Sequence, residues 1–86
     1  MNESILELWR DTAVINFTPN VYKKILKFVK YLDKHSMWLV EFLKDKNSFL
    51  FSNDGQRLIF SIDEMLLHIR NIEAGIPFPW NEFTDI

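Results

Sequence analysis

The sequence predicts an α+β fold: a three-stranded antiparallel meander at about 37–43, 48–52 and 57–60, packed with helices at about 3–11, 19–34 and 62–74. Three observations predict it. Apolar residues recur at helical spacing from Thr18-Pro19 onward, Asp54-Gly55 separates two short apolar runs, and Ser61-Ile62-Asp63-Glu64 has the form of a capping box that opens a second helical run.

In chain order, Asn2 is positioned to cap a first helix that carries Ile5, Leu8 and Trp9 inward. Glu3, Glu7 and Asp11 then line its outer face, with the acids near its start suiting the helix dipole. Residues 13–17, Ala-Val-Ile-Asn-Phe, read as extended, either a short strand or a connector. Thr18 is a good N-cap, and Pro19 is tolerated at the first helical position because its N–H would be unpaired anyway. Val21, Ile25, Phe28, Val29 and Leu32 form the apolar stripe of that helix, widened by Tyr22 and Leu26. Lys23, Lys27, Lys30 and Lys34 take the opposite face.

After His35-Ser36 the period becomes alternating. Trp38, Val40 and Phe42 share one face of a strand, and Met37, Leu39, Glu41 and Leu43 share the other. A helical reading of 36–44 competes, because Trp38/Phe42 and Leu39/Leu43 also fit i, i+4 spacing. Lys44 to Asn47 read as a turn. Asp54-Gly55 between 48–52 and 57–60 signals a hairpin, expected to be a type I′ turn with positive φ at both central positions. Its register sets Phe51 opposite Leu58 and Phe49 opposite Phe60, and the meander continues with Phe42 opposite Phe49 and Val40 opposite Phe51. The core face is then Val40, Phe42, Phe49, Phe51, Leu58 and Phe60, leaving Met37, Leu39, Leu50 and Ile59 for the second face. Ile62, Met65, Leu66, Ile69 and Ile72 give the last helix its stripe. Gly75 suits its left-handed end, and Pro77 and Pro79 prevent continuation.

Eighty-six residues make one small domain, 1–86, which buries only about 60–65% of the surface its unfolded chain exposes. A content of 48% hydrophobic and 15% aromatic residues offsets that narrow margin and argues against disorder. There is no Cys, which excludes a disulfide framework, a thiolate nucleophile and a Cys-ligated zinc site, and favours a reducing compartment. The start, Met1-Asn2-Glu3-Ser4, lacks the basic and apolar regions of a signal peptide, and no apolar run nears the ~20 residues of a membrane span. The expectation is a cytoplasmic protein that does not enter a membrane.

Catalytic apparatus is not legible. With Gly55 and Gly75 as the only glycines, no phosphate-binding loop can form. His35 and His68 have no second ligand at a recognised metal spacing, and Glu64 is accounted for by its cap. The chain therefore reads as non-catalytic, with no cofactor and no metal, acting by binding.

Three features carry binding potential. Residues 21–46 hold seven Lys against Asp33, Glu41 and Asp45, so Lys23, Lys27, Lys30 and Lys34 could meet phosphates. A net charge of −2 and the lack of Arg, Asn or Gln on that face make nucleic acid the weaker reading. The remainder of the chain is acidic, with Glu3, Glu7 and Asp11 on one stripe and Glu82 and Asp85 in the tail, a pattern suited to a basic partner. The tail also holds Trp80, either an aromatic anchor for a partner or a cover for the open sheet. The second sheet face offers a patch for a homodimer or homo-oligomeric subunit.

In size, lack of Cys, acidity and aromatic content, the chain resembles the small bacterial immunity proteins that neutralise a cognate toxin. The resemblance implies inhibition of a basic toxin by direct contact, with Glu3, Glu7, Asp11, Trp80, Glu82 and Asp85 as the contacting groups. The alternatives are a small nucleic-acid-associated or regulatory protein using the Lys face, and a homo-oligomeric structural subunit.

Overall fold

The computed structural model describes residues 3–12 and 18–82, with side chains at 4–11, 18–80 and 82. The expectations for Asn2, for 13–17 and for Asp85 fall outside them. The elements are α1 (Glu3–Thr12), α2 (Pro19–Lys34), β1 (Trp38–Leu43), β2 (Ser48–Ser52), β3 (Arg57–Ser61) and α3 (Ile62–Glu73), with short 3₁₀ turns at Lys44–Lys46 and Trp80–Glu82. The strands form one antiparallel sheet in the order β1-β2-β3. This is the α+β meander that the periodicity predicts.

Local chemistry explains the helix ends. The Thr18 hydroxyl accepts from the Val21 N–H at 3.1 Å, and Pro19 begins α2. Ser61 and Glu64 complete a reciprocal capping box, at 3.1 Å from the Glu64 N–H and 3.0 Å from the Ser61 N–H. Each half satisfies a backbone donor that the first helical turn leaves unpaired. Gly75, with φ 87°, closes α3, and Ile76 N–H donates back to the Asn71 carbonyl at 2.9 Å.

The end of α2 has the same form without a glycine. Ser36 takes φ 61°, its N–H donates to the Asp33 carbonyl at 3.1 Å, and Met37 N–H donates to the Leu32 carbonyl at 2.9 Å. This motif places Met37 and Leu32 together in the core, so the chain enters β1 from an inward Met37. Trp38 then faces out and Leu39 faces in, opposite Phe51. Farther along, Phe42 pairs with Phe49, which demands the other phase. A β-bulge between Leu39 and Glu41 reconciles the two by adding one residue on the outer side.

The bulge corrects the expected face assignment. Leu39 and Met37 belong to the core, while Trp38 and Val40 are 44% and 46% exposed. The register of β2 on β3 is the expected one, with Phe51 opposite Leu58 and Phe49 opposite Phe60. The hairpin turn differs in conformation: neither Asp54 nor Gly55 has positive φ, so it is not type I′. Asn53 accounts for this, because its Oδ1 accepts from the Gly55 N–H at 3.1 Å and closes the turn from the side chain. In α1 the buried residues are Leu6 and Trp9, with Leu8 turned to solvent; Trp9 fixes this rotation by stacking on Tyr22 at 5.9 Å and meeting Phe49 edge-on at 5.6 Å.

All three helices lie on one face of the sheet. α1 and α2 touch β1, α3 touches β3, and α2 packs along α3. Phe28 is the centre of the core, with the rings of Phe60, Phe51 and Phe78 at 5.4, 6.0 and 5.9 Å. Phe78 brings the tail back over this cluster, and Trp80 follows it onto Tyr31 and His35. No helix among the described residues is long and apolar enough to cross a membrane.

Candidate docking surfaces

Asn20 and Asp63, at the starts of α2 and α3, line one groove, and Lys27 farther along α2 meets Glu73 at the end of α3. The two helices therefore lie side by side in the same direction. Their inward stripes enter the core through Ile25, Phe28, Met65 and Ile69. Above that line of contact the two helices leave a groove of about 630 Å³, lined by Asn20, Val21, Lys23, Lys24, Lys27, Asp63, Leu66, Leu67 and Arg70. Val21 and Leu66 are half-buried, and Leu67 is 47% exposed although it is a large aliphatic side chain. Lys23, Lys24, Lys27 and Arg70 are all exposed around them.

The groove is electropositive. Four cations line it against one carboxylate, Asp63. Lys27 also meets Glu73 at 3.8 Å, a solvent-exposed pair that leaves most of the local charge unbalanced. The parallel arrangement adds the partial positive charge of two helix N-termini at the Asn20/Asp63 end.

A second surface is the open face of the sheet. Leu50 is only 4% exposed yet stands outside the core cluster. Its register partners are Glu41 on β1 and Ile59 on β3, both exposed, Ile59 to 51%; Trp38 and Val40 are the large apolar residues of β1 that are exposed. Three strands about 4.8 Å apart and five residues long give this face a footprint of only roughly 250 Å².

The predicted acidic residues that are described lie at two places along α2. Glu7 and Asp11 are exposed on α1, Asp11 meeting Arg10 at 3.5 Å, and α1 is held through Trp9 against Tyr22 near the start of α2. Glu82 is exposed next to Trp80, which is half-buried against Tyr31 near the end of α2. Nine residues of helix separate Tyr22 from Tyr31, about 13–14 Å at 1.5 Å per residue. The Glu3 side chain and Asp85 lie outside the described residues. Of the basic stripe, Lys23 and Lys27 line the groove, whereas Lys30 and Lys34 are exposed farther along α2. Sequence reasoning missed the partners that turn the stripe into a groove: Lys24, Leu67 and Arg70. Leu67 gave the available signal, an apolar residue outside the α3 core stripe.

His68 is packed among rings. Phe28 stacks on it at 5.9 Å, and Phe60 and Phe78 approach at 5.4 and 5.0 Å. Burial holds its pKa below the ordinary 6.5, with Glu64 and Glu82 pulling the other way. Among the described residues no group of three or more His, Cys, Asp or Glu is arranged to hold a metal ion.

The architecture defines a small α+β protein with a meander covered by helices on one side. No protein-family model, curated protein or solved structure matches the chain.

Proposed function

We propose that this protein is a non-catalytic protein-binding module whose docking surface is the groove between α2 and α3. The observation that carries the reading is the exposed Leu67, seated with Val21 and Leu66 in a concavity ringed by Lys23, Lys24, Lys27 and Arg70. An aliphatic floor with a charged rim is the form of a helix-in-groove or peptide site, where apolar anchors give affinity and charge selects the partner. The same floor argues against nucleic acid, for which the groove offers no aromatic stacking platform and no bidentate base reader besides Arg70.

The test is co-purification from cells that express the chain natively, comparing three versions. A partner retained by the native chain and by Glu7→Lys/Asp11→Lys, but lost by Leu67→Asp, supports the groove. Retention by Leu67→Asp together with loss by Glu7→Lys/Asp11→Lys would instead establish the toxin-neutralising reading, in which a basic partner docks on the acids of α1.

A further inference from the structure

We infer that the occupant of the α2/α3 groove is an acidic amphipathic helix of a partner protein. This rests on the groove being a protein-docking surface and adds the chemistry of what docks there. Two features of the groove point to it.

The first is charge. A ligand that covers Leu66 and Leu67 must pass between Lys23, Lys24 and Lys27 on one side and Arg70 on the other, with Asp63 at one end. Bringing a basic or neutral segment into that space would desolvate four cations with only Asp63 and the exposed Lys27–Glu73 pair to offset them, whereas carboxylates would pair with them. The second is spacing. Lys23 and Lys27 are one helical turn apart, about 6 Å of rise, which matches carboxylates at i, i+4 on a facing helix. Between such carboxylates, an apolar residue of the same helix would reach Leu66 and Leu67. A flat nucleic-acid backbone could use the cations but would leave the aliphatic floor uncovered.

The experiment uses the full chain, isotope-labelled, and three amphipathic peptides of about 16 residues, ~24 Å long when helical. All share leucines at i, i+3, i+4 and i+7; their flanking positions are Glu, Gln or Lys. A dT12 oligonucleotide is the fourth probe. Amide shifts locate binding, and fluorescence anisotropy of labelled peptides measures it.

The Glu peptide is expected to shift amides of Lys23, Lys27, Leu66, Leu67 and Arg70. It should bind about tenfold or more tightly than the Gln form, with an advantage that shrinks as salt shortens the screening length from about 10 Å at 0.1 M. Lys23→Glu/Lys27→Glu should abolish that preference and bind the Lys peptide instead, a gain that an unfolded variant could not show. If the Gln or Lys peptide occupies the groove of the native chain as tightly as the Glu peptide, the acidic-helix inference is overturned while the docking surface stands. If dT12 shifts the groove amides and the peptides do not, the occupant is nucleic acid and both fall. If none of the four probes shifts them at millimolar concentration, the groove is not a docking surface, and the reading on which this inference rests falls with it.

Discussion

Replacing Phe28 by Ala should remove a large share of the stability of this chain, whereas the same truncation at Ile59 should barely be felt. Phe28 has no accessible surface and touches four rings, those of Phe51, Phe60, Phe78 and His68, from β2, β3, the segment after α3 and α3. Truncating a buried Phe to Ala costs about 3–5 kcal/mol through lost transfer energy and the cavity left behind. A chain of 86 residues has a total of roughly 4–13 kcal/mol to lose, at about 0.05–0.15 kcal/mol per residue. Ile59 is large and apolar, but it stands 51% exposed on the open sheet face, so its truncation should cost less than about 1 kcal/mol. In urea unfolding followed by far-UV circular dichroism, a slope of about 1–2 kcal/mol per molar places the Phe28→Ala midpoint about 1.5–5 M below the native one. The Ile59→Ala midpoint should stay within about 0.5–1 M of it. Equal losses at the two positions would mean that the sheet is covered on both faces, and the one-sided architecture would be wrong.

Other outcomes follow from single features. Ser61→Ala removes one half of the capping box and should cost about 1 kcal/mol in the same unfolding experiment, with Ser61→Gly milder. His68 binds a proton less readily folded than unfolded, because burial lowers its pKa. Its neutral form therefore stabilises the fold fully above about pH 6.5, and stability falls as pH drops below that value toward the folded pKa; His68→Phe should flatten this slope in thermal melts between pH 7 and 5. The open sheet face offers roughly 250 Å² against the ~800 Å² per partner of a stable interface. Sedimentation at micromolar concentration should accordingly show no dimer through this face, and a tight dimer disrupted by Trp38→Ser would refute that.

Much of the fold was legible because its signals are local. The Thr18-Pro19 start, the Ser61–Glu64 box and Gly75 each act within one turn of helix, and each sits where expected. The hairpin register was legible too, since Asn53-Asp54-Gly55-Gln56 allows one economical pairing of the flanking runs, even though Asn53 closes the turn by a route that needs no positive φ. The strand phase of β1 was not legible. It depends on Ser36 adopting a left-handed conformation that gives no compositional warning, and on a bulge that responds to two distant demands, Met37 under α2 and Phe42 against Phe49. The groove was only partly legible for a related reason. The lysine stripe is a property of one helix and was read, but the groove needs the flank of α3, and only packing reveals which residues of two helices meet.

The groove and the core draw on different residues of the same two helices, and that separation decides how far binding can be tested. α2 spends Ile25, Phe28, Val29 and Leu32 on the core, and α3 spends Met65 and Ile69. Lys23, Lys24, Lys27, Leu67 and Arg70 stand outside that set and are exposed. Charge reversal at solvent-exposed helix positions costs little stability, within about 0.5 kcal/mol each. Val21 and Leu66 are the two positions that serve both purposes, half-buried against the core and lining the groove. Substitution there would confound folding with docking. A loss of binding in Leu67→Asp or Lys23→Glu/Lys27→Glu therefore reports on the surface, and the same loss in Leu66→Ala would not.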